Sequence, residues 1–221
     1  MFLDLIARAL LLPVLLGQAL YVRFRVVKLA EPVGVRRGVV GDGPQLRLLI
    51  LGDSSALGVG VLHQDLALLG QVTARLAPHA RVSFELAAKS GAKTEDALGL
   101  LKDLHHAHYD IAITALGVND VTKGISLRKW LRLQTALLDQ LAQQSGTRQI
   151  IVSGLPPVGQ FPLLPNPLRW VLGRQSARFD RHLHAVVAGR PNCASVTIDL
   201  GLDKGNMAAD GFHPGASVYA A

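Results

Sequence analysis

The sequence predicts an α/β domain built on a parallel sheet with helices on both faces. Five short strand-like segments recur along the chain, separated by segments of helical spacing. The first of them, Leu46–Leu51 (Leu-Arg-Leu-Leu-Ile-Leu), is an almost unbroken apolar run, as in a strand buried on both faces. Polar residues and glycines gather just after strands, at the end of a parallel sheet where ligands bind.

In chain order, Leu46–Leu51 ends at Gly52. Leu66–Leu76 carries apolar residues at helical spacing and closes at Pro78. Arg81–Leu86 alternates as a strand. Thr94–Leu104 reads as a helix with Thr94 as its N-cap. Tyr109–Leu116 is the third strand. Ser126–Gln144 is a long helix, capped by Ser126 and followed by Gly146. Arg148–Ser153 is a strand, Leu168–Val187 a helix, and Ser195–Asp199 the last strand.

At 221 residues the chain suits one core rather than two ordinary domains. Hydrophobic residues make up 49% and charged residues 18%, which excludes a disordered chain. Of the net charge of +7, +3 is local to residues 1–45 and the rest is spread, without a basic run or an aromatic-interleaved stripe, so nothing marks a nucleic-acid partner. The single cysteine, Cys193, excludes an internal disulfide and reads as a buried structural thiol. His105, His106 and His108 cluster without a Cys or carboxylate set, a poor metal site. With His63, His79, His182 and His184 they read as surface or core histidines. No metal or organic cofactor is expected.

Residues 1–30 form a hydrophobic segment. Ala9–Val22 is nearly all apolar and is flanked by Arg8, Arg23, Arg25 and Lys28. Its fourteen residues fall short of the ~20 that a straight membrane-spanning helix needs. Three readings stand: a signal peptide with Gly17-Gln18-Ala19 as a cleavage site, a helix lying at a membrane surface, or a helix packed on the protein itself. They lead to the expectation of a membrane-associated, periplasmic or secreted protein, with the cytoplasm as the alternative. Residues 31–45 are rich in Gly and Pro and read as a linker, with the main domain at 46–221.

Four loops after strands carry the chemistry. Gly52-Asp53-Ser54-Ser55 puts a serine at the end of a strand, beside a helix start with unpaired N–H groups. Ser90-Gly91-Ala92-Lys93-Thr94 offers a bare glycine N–H. Gly117-Val118-Asn119-Asp120 offers a neutral carboxamide donor. In Asp210-Gly211-Phe212-His213, Asp210 can hold the His213 tautomer so that the other ring nitrogen takes the Ser54 proton. Each loop alone reads more readily as an ordinary cap or turn. Gly58-Val59-Gly60 completes no phosphate-binding loop.

Taken together and in this order, the four motifs resemble those of the SGNH (GDSL-type) hydrolase family, over the span Gly52 to His213. The resemblance implies a flavodoxin-like three-layer α/β/α sandwich with about five parallel strands, hydrolysing esters or thioesters. Ser54 then resembles the nucleophile, His213 the general base and Asp210 its orienting carboxylate. The Ser54 and Gly91 backbones and the Asn119 side chain resemble the oxyanion hole. Ser55 stands where the motif usually has Leu, and Ala87-Ala88-Lys89-Ser90 lacks the usual Asn before the glycine. The family normally closes with a helix after the histidine. Here Pro214–Ala221 looks like only its start, so reduced stability is expected.

The segment Leu155–Leu168 holds five prolines and the apolar Val158, Phe161, Leu163 and Leu164. It reads either as an acyl-binding wall, formed by Val158, Phe161 and Leu164, or as a loop packed on the sheet edge. The expected substrate is a short- to medium-chain or lipid ester, including a lysophospholipid. Transfer of the acyl group to a carbohydrate or other acceptor, and a non-catalytic membrane-tethered binding domain, are the competing readings. The sequence says nothing of oligomeric state.

Overall fold

The computed structural model describes residues 2–143, 146–198 and 205–221. Helix α1 spans Phe2–Arg25. The strands are β1 (Arg37–Val40), β2 (Gln45–Gly52), β3 (Arg81–Ala88), β4 (Ile111–Ala115), β5 (Gln149–Ser153) and β6 (Cys193–Val196). Between and after them lie α2 (Ser54–Leu57), α3 (Leu68–Leu76), α4 (Thr94–Leu100), α5 (Val118–Thr122), α6 (Leu127–Gln143), α7 (Leu168–Ala188) and α8 (Ala216–Ala220).

The sheet has the order β1-β3-β2-β4-β5-β6, with β2 to β6 mutually parallel and β1 antiparallel on β3. The apolar run of β2 lies at its centre: Leu48, Leu49, Ile50 and Leu51 are fully buried. Period-2 alternation sends them to opposite faces. Leu48 and Ile50 join Leu69 of α3, Val82 and Phe84 in one core. Leu49 and Leu51 join Trp130 and Leu137 of α6 and Phe179 and Leu183 of α7 in the other. The result is the three-layer sandwich expected. The chain leaves β2 toward β3 on one side and reaches β4 on the other, so the strand order reverses at β2, and a crevice opens beyond its carboxyl end.

The five parallel strands are those expected, with shifted ends. The stretch 31–45 is not wholly a linker, because Arg37–Val40 pairs with β3 as an edge strand (Gly38 opposite Phe84) and Arg37 Nη2 reaches Glu85 Oε1 at 2.8 Å. A four-residue edge strand has too little apolar pattern to stand out among its flanking glycines. Thr94 is the first helical residue of α4 and Lys93 its N-cap. The last strand starts two residues earlier than expected. Its expected end at Asp199, like Gln144 at the expected end of the long helix, lies outside the described residues. Cys193 is half-buried rather than buried, and burial pushes its thiol pKa up.

After His213 the chain forms α8. Tyr219 packs with Val61 and Ala67, and its hydroxyl donates to the Val59 carbonyl at 2.9 Å. No described helix is long and apolar enough to cross a membrane.

Candidate active site

Ser54 sits where β2 turns into α2. Asp53 caps that short helix: its Oδ1 accepts from Ser55 N at 3.0 Å and Ser55 Oγ at 2.8 Å. Gly52 before it is required, since an added Cβ would lie 2.5 Å from both the Ala115 carbonyl and Ala56 Cβ. Ser54 is thereby held nearly buried, 8% exposed, at the sheet's central edge.

The loop after β6 delivers His213 to it. Asp210 Oδ1 accepts the backbone N–H groups of Phe212 and His213, both at 3.0 Å. This folds the loop so that Asp210 Oδ2 meets His213 Nδ1 at 2.5 Å. With that proton directed to Asp210, Nε2 is left to accept from Ser54 Oγ at 2.8 Å. Burial pushes the Asp210 carboxyl up, but the His213 ring and the two backbone N–H groups outweigh it and hold the pKa below its ordinary value. Asp210 is therefore a fixed anion beside the imidazole. Ser54, His213 and Asp210, separated by up to 159 positions in sequence, are brought together in one hydrogen-bonded chain.

Asn119 lines the same cavity as Ser54 and His213. Its Nδ2 donates to Asp53 Oδ2 at 3.2 Å and to the Ala92 carbonyl at 3.0 Å, which fixes the carboxamide. Burial pushes the Asp53 carboxyl up, against the lowering by the two Ser55 bonds and the His213 charge. Besides capping α2, Asp53 holds Asn119, a role that depends on a loop after β4 that the sequence alone does not place. Asp120 is also buried. It accepts from Thr94 N at 3.0 Å and Thr94 Oγ1 at 2.9 Å, and Thr94 Oγ1 in turn accepts from Trp130 and Gln134. That network ties α5, which carries Asn119, to α4 and α6.

Gly91 is in the turn after β3 at φ +74°, with nothing within 4 Å of where a Cβ would stand. It is not among the residues lining the cavity. Its carbonyl accepts from Lys123 Nζ.

The cavity wall is mostly apolar: Leu116, Val118, Phe161, Ile198, Met207 and Phe212 contribute to it. Of the three residues expected as an acyl wall, only Phe161 reaches it. Val158 and Leu164 do not line it; they are buried in the cluster they share with Phe161, Leu168 and Met207, which backs that wall. The proline-rich loop thus sends Phe161 to the cavity and packs Val158 and Leu164 into the core. Phe161 packs edge-on against Phe212 at 5.1 Å, and Phe212 against the His213 ring at 5.5 Å.

Gly58 and Gly60 are packing residues. A Cβ on Gly58 would come within 2.3 Å of Ala67 Cβ, and one on Gly60 within 2.1 Å of the Pro214 carbonyl. Among the described residues no three His, Cys, Asp or Glu side chains group to hold a metal ion. His184 Nδ1 meets Ser195 Oγ at 2.7 Å and ties α7 to β6, away from the cavity.

Among solved structures, the chain is similar to that of TesA (21% identity, 78% of this chain and 91% of that chain, TM-score 0.60). It is likewise similar to a lipase from goat rumen metagenome (19%, 79% and 92%, TM-score 0.61) and to the esterase EstA from Pseudoalteromonas sp. (20%, 78% and 90%, TM-score 0.57). At these identities the likeness is one of fold. No curated protein matches the chain significantly. Residues 50–221 match the GDSL-like lipase/acylhydrolase family from the β2 strand through the Asp210–His213 loop. The chain belongs to that family of hydrolases.

Proposed function

We propose that this protein is a serine esterase that cleaves carboxylic esters through an acyl-enzyme on Ser54. The observation that carries the reading is the unbroken relay Ser54 Oγ–His213 Nε2, His213 Nδ1–Asp210 Oδ2, at 2.8 and 2.5 Å, opening on an apolar cavity.

Ser54 Oγ attacks the ester carbonyl as His213 Nε2 takes its proton, and Asp210 stabilises the imidazolium. The tetrahedral oxyanion forms next to the Asn119 carboxamide, competing with Asp53 Oδ2 and the Ala92 carbonyl for its N–H groups, and next to the Ser54 backbone N–H. His213 then gives the proton to the leaving alcohol. Water, deprotonated by the same nitrogen, releases the acid and restores Ser54. The apolar wall around Phe161 and Phe212 suits an acyl chain better than a sugar, which favours an acyl or lipid ester.

Hydrolysis of p-nitrophenyl esters from acetate to long acyl chains, with Ser54→Ala alongside, tests this. The expected result is turnover by the wild type with a chain-length optimum, and background rates in the variant. Equal rates in both proteins would remove the assignment.

A further inference from the structure

Helix α1 is apolar on two opposite sides. One stripe, Leu15, Gln18 and Val22, faces the body of the protein. Leu15 and Val22 pack on the cluster of Val158, Phe161, Leu164, Leu168 and Met207. Gln18 locks the contact: its Oε1 accepts from Leu168 N at 2.9 Å and its Nε2 donates to the Asn166 carbonyl. Leu12, Leu16, Leu20 and Phe24, at four-residue spacing, form the other stripe, and they are 53, 57, 55 and 83% exposed. An amphipathic surface helix has a polar outer face; this one does not. Its docked stripe already satisfies the fold, so the outer stripe is left to something else.

The surroundings specify what that is. Arg23 and Arg25 end the helix and Lys28 follows, all exposed. The Arg25 guanidinium lies over the Tyr21 ring at 5.5 Å, and Tyr21 is 52% exposed. At the start of α7, two residues past the one that Gln18 caps, Trp170 is exposed with Arg174 over its ring at 5.3 Å. An apolar stripe bordered by arginines and half-exposed Trp and Tyr matches the layered chemistry of a bilayer surface: acyl tails, carbonyl zone, anionic phosphates.

We infer that α1 lies in the surface of an anionic phospholipid membrane, its Leu12–Phe24 stripe among the acyl chains and its basic end on the phosphates. Its inner stripe packs directly behind the cavity wall, since Phe161 and Met207 belong to both. The membrane therefore holds the acyl cavity beside the lipid. On the esterase reading, on which this second step rests, the natural substrate is an ester drawn from that membrane.

The test is sedimentation with vesicles of equal parts phosphatidylcholine and phosphatidylglycerol, using the full chain. Wild type and Ser54→Ala should bind alike, so binding is read independently of catalysis. Leu16→Ser/Leu20→Ser/Phe24→Ser should bind at least about tenfold more weakly while hydrolysing p-nitrophenyl acetate at the wild-type rate. Arg23→Gln/Arg25→Gln/Lys28→Gln, which leaves the stripe intact, should lose affinity for these vesicles and not for pure phosphatidylcholine. Undiminished vesicle binding by both triple variants would overturn the inference. So would a wild type that ignores vesicles and instead dimerises through this stripe.

Discussion

Replacing Gly60 with alanine should silence the enzyme from a position that touches no substrate. Gly60 has φ +116°, and an added Cβ would lie 2.1 Å from the Pro214 carbonyl oxygen, nearly an ångström inside the closest contact that real Cβ atoms make. That oxygen belongs to the residue after His213. The loop cannot absorb the shift locally, because His213 O accepts from Ala208 N at 2.9 Å and Gly215 N donates to the Asn206 carbonyl at 2.8 Å. A displacement of about 1 Å at His213 stretches its bond to Ser54 beyond useful reach, and misplacement of this size costs on the order of 100-fold in turnover. The backbone strain adds about 1–3 kcal/mol of lost stability, or roughly 2–12 °C in Tm for a chain of this length. Gly124→Ala is the control. Gly124 also has a positive φ, +74°, but nothing stands within 4 Å of its would-be Cβ. It should lose comparable stability and keep its rate. The assay is kcat on p-nitrophenyl acetate together with thermal unfolding by circular dichroism. If folded Gly60→Ala is as active as Gly124→Ala, the reasoning is refuted.

Asp210→Asn should lower kcat about 10⁴-fold by releasing the His213 tautomer. Because the folded Asp210 pKa lies below its ordinary 3.8, its ionised form stabilises the fold above that pH and the contribution fades as pH falls through the lower folded value. The Tm gap between wild type and Asp210→Asn should therefore be constant near neutrality and narrow below about pH 4; a gap that widens on acidification would contradict the assignment. Asn119→Ala should lose about 100- to 1,000-fold in kcat with little change in KM, as steady-state kinetics will show. Phe161→Ala should move the chain-length optimum of the ester series, since Phe161 lines the cavity. Leu164→Ala should leave that optimum in place and cost about 2–5 kcal/mol on urea unfolding, as its side chain is buried behind the wall.

What was legible in the sequence had a local cause. The run Leu46–Leu51 announces a central strand because both of its faces are buried, and no polar residue but Arg47 interrupts it. Ser54, Asp210, His213 and Asn119 could be named because their motifs, in this order and each after a strand, resemble those of the family, while each loop alone reads as a cap or turn. What was missed depends on tertiary contact. Strand β1 is defined by its hydrogen bonds to β3, not by a pattern of its own. Val158 and Leu164 have the same apolar character as Phe161, and only packing decides which of them faces the cavity. The contact of Gly60 with Pro214 joins residues 154 positions apart and leaves no mark in either stretch of sequence.

The proposed function rests on Ser54 as a nucleophile activated by His213. A p-nitrophenyl alkylphosphonate, which phosphonylates such a hydroxyl with release of p-nitrophenol, measures this directly by intact-protein mass spectrometry. One adduct per wild-type chain is expected, mapped to Ser54 and formed in step with loss of esterase activity, with none in Ser54→Ala and none at comparable speed in His213→Ala. An adduct on another residue, or full inhibition without modification of Ser54, would contradict it.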